Sequence, residues 1–189
     1  MEFSGFDIQG PILIAPQRFE DARGYFVETF KTAEFSSKVS PVEFVQDNES
    51  LSTSAGTIRG LHYQSPPYAQ GKLVRCVRGK IIDVAVDFRT GSPTFMKHIR
   101  AELTGANGHQ LWVPSGFLHG FAALVPDTLV SYKVTEAYNP EHDRAVAFDD
   151  PLLDIDWGLN SLEPIVSPKD RNAPSISQII SPFKYRNIS

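Results

Sequence analysis

The sequence predicts an all-β domain, a sandwich or barrel of the jelly-roll type with a few short helices. Three observations carry that expectation. Short runs of alternating apolar and polar residues recur along the chain. Turn residues, 13 glycines and 14 prolines, are spread between those runs rather than gathered in one linker. Helical periodicity is weak everywhere, whereas many short strands joined by turns make a sandwich or barrel.

Taken in order, YFVETF at 25–30 places Phe26, Glu28 and Phe30 on one face of a strand. KTAEFSS at 31–37 has a weak helical pattern. Strands are expected over Thr57–Tyr63 and again over KIIDVAVDF at 80–88, where Ile82, Val84, Val86 and Phe88 share a side. Gly79 stands between that run and LVRCVR, a pattern that predicts a hairpin. Further strands are expected at Lys97–Leu103, Gln110–Val113, Leu118–Leu124 and Leu129–Thr135. A second weak helical pattern lies near 149–155, and SPKDRNAPS at 167–175 reads as a structured loop. No repeat is visible. The chain reads as one domain over 1–189, with a segment from about residue 160 packing on the barrel.

The composition narrows the function. At 189 residues, with 41% hydrophobic and 21% charged residues, the chain is long enough to bury roughly 70% of its unfolded surface. A net charge of -4 argues against a general nucleic-acid binder and leaves room for a local basic pocket. The lone Cys76 forbids an intrachain disulfide, disfavours a thiolate metal cluster and fits a reducing, cytoplasmic compartment. It reads as a small core residue. No basic stretch precedes a long apolar run at the N-terminus, and no run approaches the ~20 apolar residues of a membrane helix.

Polar residues inside apolar strands are the informative ones. His62, in RGLHYQ, reads on its own either as a core histidine bonded to a carbonyl or as a base. Alternation gives it Ile58, Gly60 and Gln64 as same-face neighbours. Tyr132, in LVSYKVT, is a packing residue or an interior phenolic acid. Lys72, opening KLVRCV, is a solvated strand-end charge or, if it points into a barrel mouth, a group that stabilises an enolate. His119, in PSGFLHGF, fits core or site equally well. Asp170, in SPKDRN, reads alone as a turn aspartate. A metal site is disfavoured. Gln64 follows His62 where a second histidine would stand, Lys72 cannot ligate while protonated, and the five histidines hold no close pair. No dinucleotide fingerprint, P-loop or nucleophile elbow is present.

Taken together, RFEDARGYFVETF, FVQDNES, IRGLHYQ, GKLVRCVRGKIIDVAVDFR, VPSGFLHGF, YKVTEAYNPE, DDPLLDIDW and SPKDRN resemble the dTDP-4-dehydrorhamnose 3,5-epimerase family in content, order and spacing, from about residue 8 to 175. The resemblance implies a cupin-type double-stranded β-helix, or jelly roll, assembled as a homodimer. It implies conversion of dTDP-4-dehydro-6-deoxy-D-glucose to dTDP-4-dehydro-L-rhamnose without cofactor or metal. His62 would be the base, oriented by Asp170. Tyr132 would be the acid on the opposite face of the sugar, and Lys72 would hold the enolate oxygen. His119 would line the pocket. Arg59 and Arg23 would hold diphosphate and sugar, with Phe26, Glu28, Gln46 and Asn48 nearby. Tyr138 would stack on thymine, and Asp143 and Lys169 would contact substrate.

The family usually has Glu where this chain has Asp143, Trp at Phe148 and proline at Gly158, and often a neutral or aromatic residue at Glu49. Arg59 and His62 have opposite strand parity, so a bulge near Gly60 or a site shared across the dimer is needed to bring both to one pocket. A single-centre epimerase acting at C3 or C5 alone would use the same residues. A binding module that keeps the barrel without turnover, and a metal-dependent barrel, are the readings from other classes.

Overall fold

The computed structural model describes residues 1–186. In chain order the strands are β1 (Glu2–Gly5), β2 (Ile12–Ala15), β3 (Arg18–Asp21), β4 (Gly24–Val27), β5 (Gln46–Ser52), β6 (Ile58–Gln64), β7 (Lys72–Arg78) and β8 (Lys80–Asp87). They continue as β9 (Arg89–Thr90), β10 (His98–Thr104), β11 (Gln110–Val113), β12 (Phe117–Ala123), β13 (Thr128–Val134), β14 (Asp143–Ala145) and β15 (Phe183–Lys184). Helix α1 spans Thr32–Lys38 and the single-turn α2 spans Pro168–Arg171.

Two antiparallel sheets form the jelly roll. One runs β1-β2-β11-β7-β13-β5 and the other β10-β8-β12-β6-β14. Between them lies a core of Val74, Cys76, Ile81, Leu103, Leu111 and Phe121 with their neighbours. A second apolar layer lies on the outer face of the five-stranded sheet. There Ile82, Val84, Val86 and Phe88 pack under Val146, Leu153, Trp157 and Ile176 from the C-terminal segment. β8 is therefore buried on both faces. The shared side of its even-numbered residues is real, but it faces this cover and not the barrel interior. Ile81, Asp83 and Ala85 point inward instead.

Three expectations need correction. β7 and β8 do not form a hairpin: they belong to different sheets. Gly79 is the corner between them, at φ +89, and a Cβ there would lie 2.3 Å from the Thr128 hydroxyl. A single linking residue is too short for a two-residue hairpin turn, and its positive φ swings the chain across to the other sheet. The strand at 25–30 stops at Val27, because Phe30 leaves to join Phe35, Phe44 and Trp112 in an aromatic cluster. That cluster holds α1, which has no side-chain N-cap and is too short to stand unaided. Finally, 149–155 is not helical. The Asp150 carboxylate instead accepts from the Leu152 and Ile176 amides and the Ser175 hydroxyl, tying two turns together. The loop at 167–175 holds α2, capped by the Ser167 side chain and started by a proline.

β5 was not expected. Its sequence, QDNESLS, has no apolar alternation. Its inward residues Gln46, Asn48 and Ser50 are polar because they face a cavity rather than a core, and Ser52 is buried beside the Arg59 guanidinium.

Candidate active site

The site begins with a bulge. Opposite β12, His62 pairs with His119 but Arg59 pairs with Phe121, so three steps on β6 match two on β12. The extra residue falls at Gly60–Leu61 and reverses the alternation. Arg59 and His62 therefore face the same cavity, while Ile58 and Leu61 share the outer apolar layer. Simple alternation, which separates Arg59 from His62, is thereby overridden, and Ile58 borders the same cavity at its edge. Gly60 is at φ +119, and a Cβ would sit 2.7 Å from the Gly120 Cα and the His119 carbonyl oxygen. Only glycine fits a strand pressed that closely against its neighbour.

The cavity, about 470 Å³, lies between the two sheets and holds His62, Tyr132, Lys72, Arg59, His119 and Asp170 in its walls. An adjoining space of about 300 Å³ shares His62, Lys72, Tyr132 and Lys169 and adds Gln46, Asn48, Tyr138 and Asp143. His62 comes from the five-stranded sheet. Tyr132 and Lys72 come from the six-stranded sheet, on the opposite wall.

His62 Nε2 lies 2.6 Å from Asp170 Oδ1. The imidazole is partly open to the cavity and the carboxylate is buried. Burial works against the Asp170 charge. Hydrogen bonds from His62, the Ser167 side chain and the Gly60 amide, with the charge attraction of His62, nevertheless hold its pKa below the ordinary carboxylate value. An ionised Asp170 accepts from Nε2–H, which leaves Nδ1 with the lone pair that can take a proton. Burial raises the pKa of Tyr132, which is therefore a protonated donor at neutral pH.

Burial brings Lys72 down to about 8, while Asp143 and Asp83 pull it back up and Lys169 lowers it further. A half-buried lysine whose charge is poorly solvated costs stability while it is charged. That cost is full below about 8 and fades as pH rises toward the ordinary 10.5. If the Lys72 charge serves the reaction, turnover falls as pH rises through about 8, and Lys72→Arg moves that fall to higher pH. A pH–rate profile of both proteins checks this. An unchanged alkaline limb in Lys72→Arg excludes Lys72 as its origin.

His119 is bonded through Nε2 to Asp83 at 2.8 Å, and both residues are buried. The other Asp83 oxygen has no hydrogen-bond partner among the described residues. Arg59 donates to the Leu51 carbonyl at 2.9 Å. Gln46 donates to Asn48 at 2.7 Å and accepts from the Tyr138 amide at 3.0 Å. Asp143 accepts from the Tyr138 hydroxyl at 3.2 Å and from the Lys169 ammonium. Its short side chain is thus engaged with two neighbours at the cavity mouth.

Arg23, Phe26 and Glu28 are not brought to this site. Arg23 is 90% exposed and pairs with Asp21, Glu28 pairs with Lys31, and Phe26 projects from the β3–β4 hairpin. Among residues the sequence reading did not single out, Asp83 lies buried behind His119 and Ser50 lines the cavity. Asp83 had a signal, a carboxylate on the face of β8 opposite the apolar stripe. Ser50, whose buried hydroxyl has no partner among the described residues, had none. No group of three or more His, Cys, Asp or Glu among the described residues has the geometry to hold a metal ion.

A histidine–carboxylate pair on one wall of a jelly-roll cavity faces a phenol and a lysine on the other, an arrangement of the kind an isomerase uses to remove and return protons. Comparison with known proteins makes this specific. Residues 5–178 match the family described as dTDP-4-dehydrorhamnose 3,5-epimerase, and the chain belongs to that family. An enzyme of that name from Sinorhizobium fredii is 51% identical over 185 residues, covering 98% of this chain and 94% of its own length. The crystal structure of the Legionella pneumophila enzyme in complex with dTDP-4-keto-L-rhamnose superposes with a TM-score of 0.93 at 39% identity, covering 98% of each chain. A 3'-monoepimerase from Streptomyces bikiniensis, solved with dTDP-quinovose, is more distant. It has a TM-score of 0.85 and 31% identity, covering 91% of this chain and 86% of its own.

Proposed function

We propose that the chain converts dTDP-4-dehydro-6-deoxy-D-glucose to dTDP-4-dehydro-L-rhamnose by inverting C3 and C5. The observation that carries this reading is the placement of the His62–Asp170 pair and Tyr132 on opposite walls of one cavity. A proton on carbon beside a ketone is acidic enough for a positioned imidazole to remove. His62 Nδ1 takes that proton, and the C–H electron pair moves to the C4 oxygen as an enolate. The Lys72 ammonium holds the oxygen charge in a place poor in water, where a fixed charge counts for most. The enolate electrons then return to carbon and take the Tyr132 hydroxyl proton from the other face, so the centre is inverted. Arg59 binds the diphosphate, Tyr138 stacks on the thymine, and Gln46, Asn48, His119, Asp143 and Lys169 surround the sugar.

Reaction in deuterated water tests the proposal. Label is expected at both C3 and C5 of the product. Label at one carbon alone would mean a single-centre epimerase, the activity named for the more distant neighbour.

The exposed β3–β4 hairpin supports a two-fold dimer. Phe19 and Phe26, paired across the hairpin, are large apolar side chains left exposed, and Arg23 at its tip pairs with Asp21. In this reading Arg23, Phe26 and Glu28 reach the cavity of a second copy, and closed two-fold pairing is the commonest assembly. Sedimentation is expected to give a dimer, and Phe26→Asp to shift it toward monomer with loss of activity. A fully active monomer would overturn the shared site.

A further inference from the structure

We infer that Gln64 is a positioning residue for the nucleotide end of the site: its buried amide fixes the loop that carries Tyr138. Gln64 ends β6, two residues after His62, and is 4% exposed. Its Nε2 donates to the Tyr68 carbonyl at 2.7 Å and to the Ala137 carbonyl at 3.1 Å. Its Oε1 accepts from the Asn139 amide at 2.7 Å. The two bonds to 137 and 139 bracket Tyr138, whose own amide is held from the other sheet by Gln46. The backbone of Tyr138 is thus fixed from both walls, although its ring is exposed at the mouth.

The chemistry selects this side chain. The place requires donors for two carbonyls and an acceptor for one amide, and a neutral carboxamide supplies both. A glutamate would set its charge against two carbonyl oxygens. A leucine would leave the Tyr68 and Ala137 carbonyls and the Asn139 amide, all partly buried, without their side-chain partner. A site ordered before ligand arrives binds more tightly, because less order is created on binding. The same carboxamide reaches Tyr68 in the loop that leads to Lys72, so both ends of the slot are tied to the strand that carries the base.

This inference rests on the proposed stacking of Tyr138 on thymine. Its test is calorimetric binding of dTDP and of inorganic pyrophosphate to the full-length protein, to Gln64→Leu and to Gln64→Glu, each with and without Tyr138→Ala. Each Gln64 variant is expected to bind dTDP about tenfold more weakly, the equivalent of about 1.4 kcal/mol, while pyrophosphate affinity stays the same. In the Tyr138→Ala background the further loss is expected to vanish. If one Gln64 variant fails to fold, the other carries the test. Undiminished dTDP affinity, equal loss for pyrophosphate, or full additivity with Tyr138→Ala would each overturn the inference. Solvent exchange by the parent protein is scored separately. If the parent fails to exchange but the dTDP pattern holds, the epimerase reading falls and this one stands.

Discussion

Replacing His62 is expected to stop proton exchange at C3 and C5 together. Removing a positioned base costs roughly 10²- to 10⁴-fold, and here the same residue is asked to serve both carbons. Among the described residues His119 is the only other histidine in the cavity wall, and its Nε2 is bonded to buried Asp83. His62→Gln is the cleaner variant, because its carboxamide retains a donor for Asp170 and has no basic nitrogen. His62→Ala leaves a buried carboxylate unpaired, and its loss of activity would be mixed with loss of stability. Deuterium incorporation by mass spectrometry, with thermal unfolding as the control, decides the matter. Exchange that survives at one carbon in a folded His62→Gln protein would assign that carbon to another base.

Tyr132→Phe should separate two steps that His62 replacement stops together. The ring keeps its place against the barrel core and only the hydroxyl leaves, so a volume-conserving change of this kind should cost less than about 1.5 kcal/mol of stability. His62 still removes the proton and can return a solvent-derived one to the same face. Wash-in of deuterium into unreacted substrate is therefore expected to persist, while net inversion falls by roughly 10²-fold. The ratio of label in substrate to epimer formed is the measurement. If both quantities fall by the same factor, the inverting proton comes from elsewhere.

Much of the fold was legible because apolar alternation reports burial. β6, β8, β10, β11, β12 and β13 each fall within a residue or so of the expected runs. β5 escaped because its inward face is polar, and that is a mark of the cavity rather than an accident of composition. The destination of the apolar stripe on β8 was hidden, since alternation distinguishes two faces without saying which is inside. The site divides the same way. His62 stood out as a polar residue in a strand, but its bond to Asp170 spans 108 positions and arises only when the C-terminal segment folds back over β6. No local spacing encodes that contact; resemblance to the family supplied it. The bulge at Gly60 was needed to reconcile Arg59 with His62, and its cause, close approach to Gly120, belongs to a distant strand. Arg23, Phe26 and Glu28 stay apart from the cavity within a single chain, where Arg23 and Glu28 pair with Asp21 and Lys31.

The position of Asp170 has a consequence for how the catalyst comes into being on the ribosome. Every strand of both large sheets lies at or before Ala145, whereas the carboxylate behind His62 arrives with α2. A nascent chain that has emerged only that far already contains the imidazole but not the group that sets its tautomer. On the proposed mechanism, the histidine–carboxylate pair is therefore completed only after every strand of both large sheets has been made.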